Sequence, residues 1–192
     1  MMSDGSRKRL TDLHIGDEVL SVNSATGELE FSPVILFLDR DAQDTRQFYT
    51  LKTENGHSLT LTPSHLIYSH FEEHADLADY EAVYAKDVQE GDFVLVSTGR
   101  GDLERARVTQ VDLRVLTGVY APLTAAGNLV VDNVVASCYA VVDSQAIAHA
   151  AFAPLRWLSH VYTNDLTDGI HWYARALYGI AETVMPSHLQ LP

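Results

Sequence analysis

The chain has 192 residues, with thirteen Lys and Arg against 26 Asp and Glu, and its net charge of −13 and pI near 4.9 argue against nucleic acid as a partner. A single cysteine rules out an intrachain disulfide framework, whereas a chain of this length buries roughly 70% of its unfolded surface without staples. The longest apolar run, residues 134–142, is far short of the ~18 residues that span a membrane, and Met1-Met2-Ser3-Asp4-Gly5 opens into Arg7-Lys8-Arg9 rather than a signal-peptide core. Entry to the secretory pathway is therefore expected only as part of a longer precursor.

In chain order, the first feature is the segment Asp12-Leu13-His14-Ile15-Gly16-Asp17-Glu18-Val19-Leu20, because it recurs as Asp87-Val88-Gln89-Glu90-Gly91-Asp92-Phe93-Val94-Leu95. Val34 then falls opposite Val108, and Gly56-His57-Ser58-Leu59-Thr60-Leu61 resembles Gly127-Asn128-Leu129-Val130-Val131. Two copies of a long unit predict a pseudo-two-fold duplication, with halves at about 10–70 and 85–142, rather than a solenoid. Short β-branched runs at residues 19–22, 48–51, 59–62, 94–96 and 129–131 sit between Gly, Asn, Asp and Ser clusters and predict strands. Asn55-Gly56 predicts a type I′ hairpin turn.

Beyond Val142 the period changes. Residues 145–162 place Ile147, Ala151, Leu158, Val161 and Tyr162 near one helical face, with Asp143 or Ser144 as N-cap and a kink at Pro154. A polar connector then leads to a second stripe, Ile170, Tyr173, Leu177, Ile180 and Val184, ended by Pro186. The reading is an all-β body over residues 1–142 and a short α-helical tail over 143–192.

Four places invite a chemical reading. Thr62-Pro63-Ser64-His65 ends a strand of the first copy where the equivalent strand of the second runs toward Cys138. A Thr and a His at that spacing can hold a distorted backbone amide while the His protonates its nitrogen, although the same four residues also suit an ordinary turn. Cys138 lies in an apolar run, as a small buried hydrophobe would. Asp39 ends the strand-like 34–38, where a solvated strand end is the plainer reading. His70-Phe71-Glu72-Glu73-His74 fits the H-x-x-E-H pattern of zinc peptidases, yet its β-rich flanks offer no helix to bring both histidines to one ion, so no metal is expected.

Thr62-Pro63-Ser64-His65-Leu66, Phe37-Leu38-Asp39-Arg40, Tyr120-Ala121-Pro122-Leu123-Thr124, Ala136-Ser137-Cys138-Tyr139-Ala140-Val141 and Gly169-Ile170-His171-Trp172-Tyr173, spread in the right order over a duplicated β body with helices behind it, together resemble the C-terminal autoprocessing domain of Hedgehog proteins. The resemblance runs from about Gly5 to Pro186. It implies the Hint fold shared with inteins, an all-β horseshoe built by duplication. It also implies an autocatalytic cysteine-type peptidase and cholesterol transferase, in which an N-terminal cysteine attacks the preceding glycine carbonyl and cholesterol displaces the thiol.

The same resemblance assigns His65 and Thr62 to the acyl shift, Asp39 to the sterol hydroxyl, and Cys138 to the second cysteine of the site. The tail, 143–192, corresponds to the sterol-recognition region, with Trp157, Ile170, Trp172, Tyr173 and Leu177 as candidate sterol contacts. No cofactor is implied; cholesterol is a co-substrate, and the partners are a signalling domain in cis, cholesterol and a membrane surface, along the secretory route to the cell exterior. One departure is expected to matter: such domains open on Cys-Phe, whereas this sequence opens on Met1-Met2, so the chain as written is expected to be inactive, as a fragment or a degenerate copy. The alternatives are an intein-like Hint domain using another nucleophile, and a sterol or membrane-surface binding module, for which Trp157, Trp172, Tyr173 and Tyr178 suit an interface.

Overall fold

The structure, a computed structural model, describes residues 1–98, 101–140, 145–154, 169–171, 173 and 175–177. Its strands are β1 (Glu18–Val22), β2 (Leu29–Thr53), β3 (Ser58–Leu61), β4 (His65–His70), β5 (Glu81–Tyr84), β6 (Phe93–Ser97), β7 (Leu103–Thr124), β8 (Asn128–Val131), β9 (Val134–Ala140) and β10 (Gly169–Ile170), and an α-helix, α1 (Gln145–Ala151), lies between β9 and β10 in the chain. All strands join one antiparallel sheet in the order β1-β2-β7-β6-β4-β9-β8, with β3 and β10 on β2 and β5 on β4. The sheet curls back on itself: the Asn128 side chain accepts from Val22 N and donates to Val22 O, at 2.7 and 2.8 Å, tying β8 to β1.

The duplication read from the sequence is present down to single hydrogen bonds. Gly16 N donates to Val34 O and Gly91 N to Val108 O, each at 2.8 Å, and Val34 N and Val108 N return bonds to Asp17 O and Asp92 O. The Asp17 carboxylate accepts from His14 N and the Asp92 carboxylate from Gln89 N, both at 2.8 Å. Downstream, the turn glycines donate to equivalent threonine carbonyls, Gly56 N to Thr53 O and Gly127 N to Thr124 O. A repeated DxxxGD sequence thus becomes a repeated local fold, because the Asp side chain holds the amide that the glycine turn would otherwise leave bare.

The strand lengths differ from expectation. The short runs at 34–38 and 48–51 belong to one strand, β2, paired with β7 from Val34↔Thr124 to Thr53↔Val108. The polar Asp41-Ala42-Gln43-Asp44 between them is a register shift inside the ladder, where the Asp41 carboxylate accepts from Gln43 N and Asp44 N. Turn-forming side chains satisfied by their own backbone let the pairing resume at Thr45↔Thr117.

The hairpin at Asn55-Gly56 exists, but only Gly56 has positive φ (82°). With Thr53 N bonded to His57 O and Gly56 N to Thr53 O, it is a three-residue loop rather than the expected type I′ turn. The pair with both residues left-handed is Asp132 (47°) and Asn133 (72°), between β8 and β9.

Behind the sheet the helical tail begins as expected with α1, whose Phe152 neighbourhood enters the main core. Phe152 is buried beside Leu13, Val34, Leu66, Leu123, Cys138 and Tyr139, and its ring stacks on Tyr139 at 5.5 Å between centroids. Ile170 does not lie on a helical stripe. It forms β10 with Gly169, paired with Asp39 and Arg40 of β2, and helical residues follow at 173 and 175–177. The edge of β2 offers free amides and carbonyls at this point, and ladder bonds outweigh the weak helical preference of a Gly-Ile pair. Asp143, Ser144, Leu158, Val161, Tyr162, Ile180, Val184 and Pro186 lie outside the described residues.

Candidate active site

The β3–β4 turn builds the first wall of the site. Thr62, Pro63 and Ser64 separate the two strands, and His65 N closes the turn on Thr62 O at 3.0 Å. His65, first residue of β4, is aligned with Ala140 of β9, and its Nε2 lies 2.9 Å from Ser137 O. A carbonyl can only accept, so Nε2 carries the proton and Nδ1 is the atom able to take up or release another. Removal from solvent pushes the imidazole pKa below its ordinary value. The ring is neutral near pH 7, and once protonated it is a stronger acid than free histidine.

Asp39 supplies the opposite wall, in the middle of β2 across from Ala121 of β7. It is buried, at 9% exposure. Its Oδ2 pairs with Arg46 Nη1 at 2.9 Å, and its Oδ1 is buried with no hydrogen-bond partner among the described residues. Burial raises the carboxyl pKa, against the lowering influence of Arg46. A desolvated carboxylate with one bare oxygen is a base waiting for a proton donor.

Cys138, on β9, is 1% exposed. Burial pushes its thiol up to about 11, although Thr124 Oγ1 lies within hydrogen-bonding reach at 3.6 Å. This thiol is uncharged at neutral pH and is no activated nucleophile.

These residues meet. Asp39, Arg46, Thr62, Ser64, His65 and Cys138 line one cavity of about 240 Å³, whose remaining wall is largely apolar, with Leu38, Phe48, Leu61, Pro122 and Leu129 among its members. The strand order does this: β2 and β7 bring Asp39 and Pro122 to one side, and β4 and β9 bring His65 and Cys138 to the other. Such a site offers a proton-exchanging imidazole at His65, a desolvated carboxylate at Asp39 and an apolar pocket between them, the components of acid–base chemistry on an apolar ligand.

Among the sterol-contact candidates, Tyr173 and Leu177 pack against the main core, and Tyr173 donates its hydroxyl proton to Ala151 O at 3.0 Å while contacting Phe152 edge-on. Ile170 is held as a backbone partner of Asp39. Trp157, Trp172 and Tyr178 lie outside the described residues. In the H-x-x-E-H segment, His70 Nδ1 accepts from Glu72 N and stacks on Phe71, and Glu73 pairs with Arg107. Arg46, Ser137 and Thr124 were not anticipated from the sequence. No spacing in the sequence marks Arg46 as a partner of Asp39, seven residues earlier.

The family profile described as Hint module matches residues 1–186. The chain belongs to the Hint module family. This Hint module is 39% identical over 207 residues to a "Protein hedgehog" of Drosophila virilis, covering 97% of the chain and 42% of the relative. It is 37% identical over 205 residues to a "Sonic hedgehog protein" of Danio rerio, covering 100% of the chain and 49% of the relative. The chain thus spans less than half the length of these curated relatives, and the resemblance to hedgehog autoprocessing domains read from its five segments is borne out. Among solved structures, a DnaB intein from Synechocystis superposes with a TM-score of 0.58 at 16% identity, covering 70% of this Hint module and 89% of the intein. The PabCDC21-1 intein gives 0.56 at 14% identity, covering 71% and 92%. At such identities the likeness is one of fold, and the all-β Hint architecture is confirmed.

Proposed function

We propose that this Hint module is the self-processing unit of a hedgehog-type precursor: it severs a preceding signalling domain through an internal thioester and passes that domain's terminal carbonyl to cholesterol. The observation that carries the reading is the meeting of Thr62, His65, Asp39 and Cys138, drawn from distant stretches of the chain, around one apolar cavity. Chemistry of this kind needs a thiol on the residue directly after the scissile carbonyl. Cys138, in the middle of β9, cannot be that residue.

In the first step the thiol sulfur bonds to the glycine carbonyl carbon and the C–N bond breaks. Thr62 orients the amide, and His65, neutral at rest, takes the thiol proton on Nδ1 and passes it to the departing nitrogen. In the second, the sterol oxygen bonds to the same carbon, the C–S bond breaks, and Asp39 accepts the hydroxyl proton. A secondary alcohol is a weak nucleophile at neutral pH, so a positioned base matters for this step and not for attack by a small thiol. The setting of the reaction is the secretory pathway; no cofactor takes part, and cholesterol enters as co-substrate from a membrane surface.

The test joins the chain to a glycine-ended passenger through a Cys-Phe-led strand. Such a fusion releases its passenger with dithiothreitol, and with cholesterol it yields a sterol-modified passenger detectable by mass. Tethering of thiol to carbonyl supplies about 7 to 11 kcal/mol of the barrier, so the same fusion with alanine in place of the leading cysteine shows neither reaction. A folded fusion that releases nothing under either condition overturns the proposal.

A further inference from the structure

Arg46 sits where its planar fork serves two carboxylates. Its Nε and Nη2 lie 2.6 Å from Asp44 Oδ2, and its Nη1 lies 2.9 Å from Asp39 Oδ2. Asp44 closes the polar excursion that interrupts the β2 ladder, and its backbone N donates to Asp41 Oδ1 at 3.1 Å. The excursion has a geometric consequence: it returns the chain to pairing at Thr45↔Thr117, so that Arg46 reaches back to Asp39 across the looped residues. The side chains are largely withdrawn from solvent, with exposures of 12% for Asp39, 25% for Arg46 and 34% for Asp44, and there a guanidinium fork holds a carboxylate in one orientation.

We propose that Arg46, anchored by Asp44, is a positioning residue for the transfer step, tying Oδ2 of Asp39 and so leaving Oδ1 as the atom that takes the hydroxyl proton of the incoming alcohol. The inference rests on the acyl transfer proposed above. In that step the alcohol oxygen bonds to the thioester carbon, the C–S bond breaks, and the proton taken by Asp39 goes on to the departing thiolate, so no external reactant is needed.

The groups around Asp39 support this assignment. On β2 they are Asp41 and Asp44, whose negative charges oppose ionisation of Asp39, and Arg46, which favours it. On β7 the opposite residue is Ala121, with Tyr120 beside it. Beyond β10 stands His171, whose backbone N donates to Leu38 O and whose imidazole pKa is lowered by burial; across the cavity stand His65 and Cys138, both neutral near pH 7 by the same cause. Arg40, next in sequence, is turned away: it donates to Thr11 O and lies over the Phe37 ring. Among the described residues Arg46 is thus the cation that keeps Asp39 ionised in a desolvated, acidic neighbourhood, and without it the carboxyl would hold its proton to higher pH.

The test uses the Cys-led fusion and reads the ratio of cholesterol-driven to dithiothreitol-driven release against pH, so that changes in thioester formation divide out. Arg46→Gln lowers the ratio at pH 7 about tenfold or more and moves its rising limb to higher pH, since loss of a neighbouring opposite charge is worth at least about a pH unit. In parallel, the ¹³C-detected titration of the Asp39 carboxyl moves in the same direction. Arg46→Lys keeps the charge without the fork, so the rising limb stays in place while the ratio still falls severalfold. An unchanged ratio and titration in folded Arg46→Gln overturns the inference. Should that variant lose its near-ultraviolet circular dichroism, an unchanged ratio in Arg46→Lys does so instead. The underlying acyl-transfer reading fails separately, when Asp39→Asn leaves the ratio at its native value.

Discussion

In the second half of the β body, β8 and β9 are joined by Asp132 and Asn133 alone and stay paired from Asn128↔Ser137 to Val131↔Val134. In the first half the equivalent strands are joined by Thr62-Pro63-Ser64, and they part: β3 lies on β2, and β4 lies on β5, β6 and β9. A two-residue turn with both φ positive matches the strand twist and keeps its hairpin closed. Proline offers no amide to a ladder, and the longer link opens the cavity that Thr62, Ser64 and His65 line. The tight hairpin in turn fixes the Ser137 carbonyl on which His65 rests. Duplication supplied one frame twice, and a change at one turn made one copy the wall that carries Thr62 and His65 and the other its support.

The largest effect falls on the opened turn. In the Cys-led fusion, His65→Ala lowers both thiol-driven and cholesterol-driven release by about 10²- to 10⁴-fold, because it acts before the two routes diverge. Near-native thioester formation in that variant, followed by gel and mass, would reduce the turn to a structural one and erase the functional contrast between the halves.

Asp39→Ala comes next. The ratio of cholesterol-driven to thiol-driven release falls about a hundredfold, and both rates falling together with the folding signal would make Asp39 structural instead. In the native fusion this ratio is lost on acidification at a higher pH than for an ordinary aspartate. The reason is the raised pKa of Asp39, which desolvation causes in spite of Arg46, and a pH series measures it.

The twin turn glycines sharpen the comparison on the side of stability. Gly56 and Gly127 have φ of 82° and 76°, and a methyl group at Gly56 meets open space, whereas one at Gly127 strikes the imidazole of His149 and crowds Tyr139. Gly56→Ala costs about 1 kcal/mol of backbone strain. Gly127→Ala costs about 1 to 3 kcal/mol more, by displacing α1 as a misfit in a packed site does. Equal denaturant midpoints for the two variants would show that α1 adds nothing to the second half.

The smallest contrast is between the twin carboxylates. Asp17→Asn and Asp92→Asn each lose about 0.5 to 2 kcal/mol, the scale of a side-chain cap on a backbone amide. Asp17 also has a depressed pKa: desolvation opposes the shift but is outweighed by the hydrogen bonds from Lys8 and His14. A depressed carboxyl stabilises above its unfolded-state value, and that stability is lost as pH falls through the folded one. Chemical denaturation between pH 6 and pH 2 therefore shows a flatter acid decline in Asp17→Asn than in the native chain, and identical slopes would remove this asymmetry.

Much of the frame was legible because it is written locally. The recurring Gly-Asp pairs dictate their turns through hydrogen bonds to residues three positions away, and the β-branched runs fall in strands as expected. Misreadings arose where pairing is not local. Asn55-Gly56 has the composition of a type I′ turn, yet the flanking Thr53–His57 bonds set a three-residue loop, and Ile170 suits a helical stripe until the β2 edge claims it. Of the site, Asp39, Thr62, His65 and Cys138 were named in advance, partly from the resemblance. Arg46, Ser137 and Thr124 were not, since an ion pair across a loop or a carbonyl on another strand leaves no mark in the spacing of residues.

By itself the sequence determined that the chain is β-rich and built twice, because side-chain alternation, turn glycines and capping aspartates act over a few residues and repeat wherever the letters do. The tertiary structure alone decided that β3 and β4 part while β8 and β9 stay paired, and that Asp39 on β2 and His65 on β4 line one cavity. It also decided that one oxygen of Asp39 is left bare among the described residues. Those outcomes depend on which strand edges find each other and on how much water they exclude, and burial is a property of the assembled sheet that no single segment possesses.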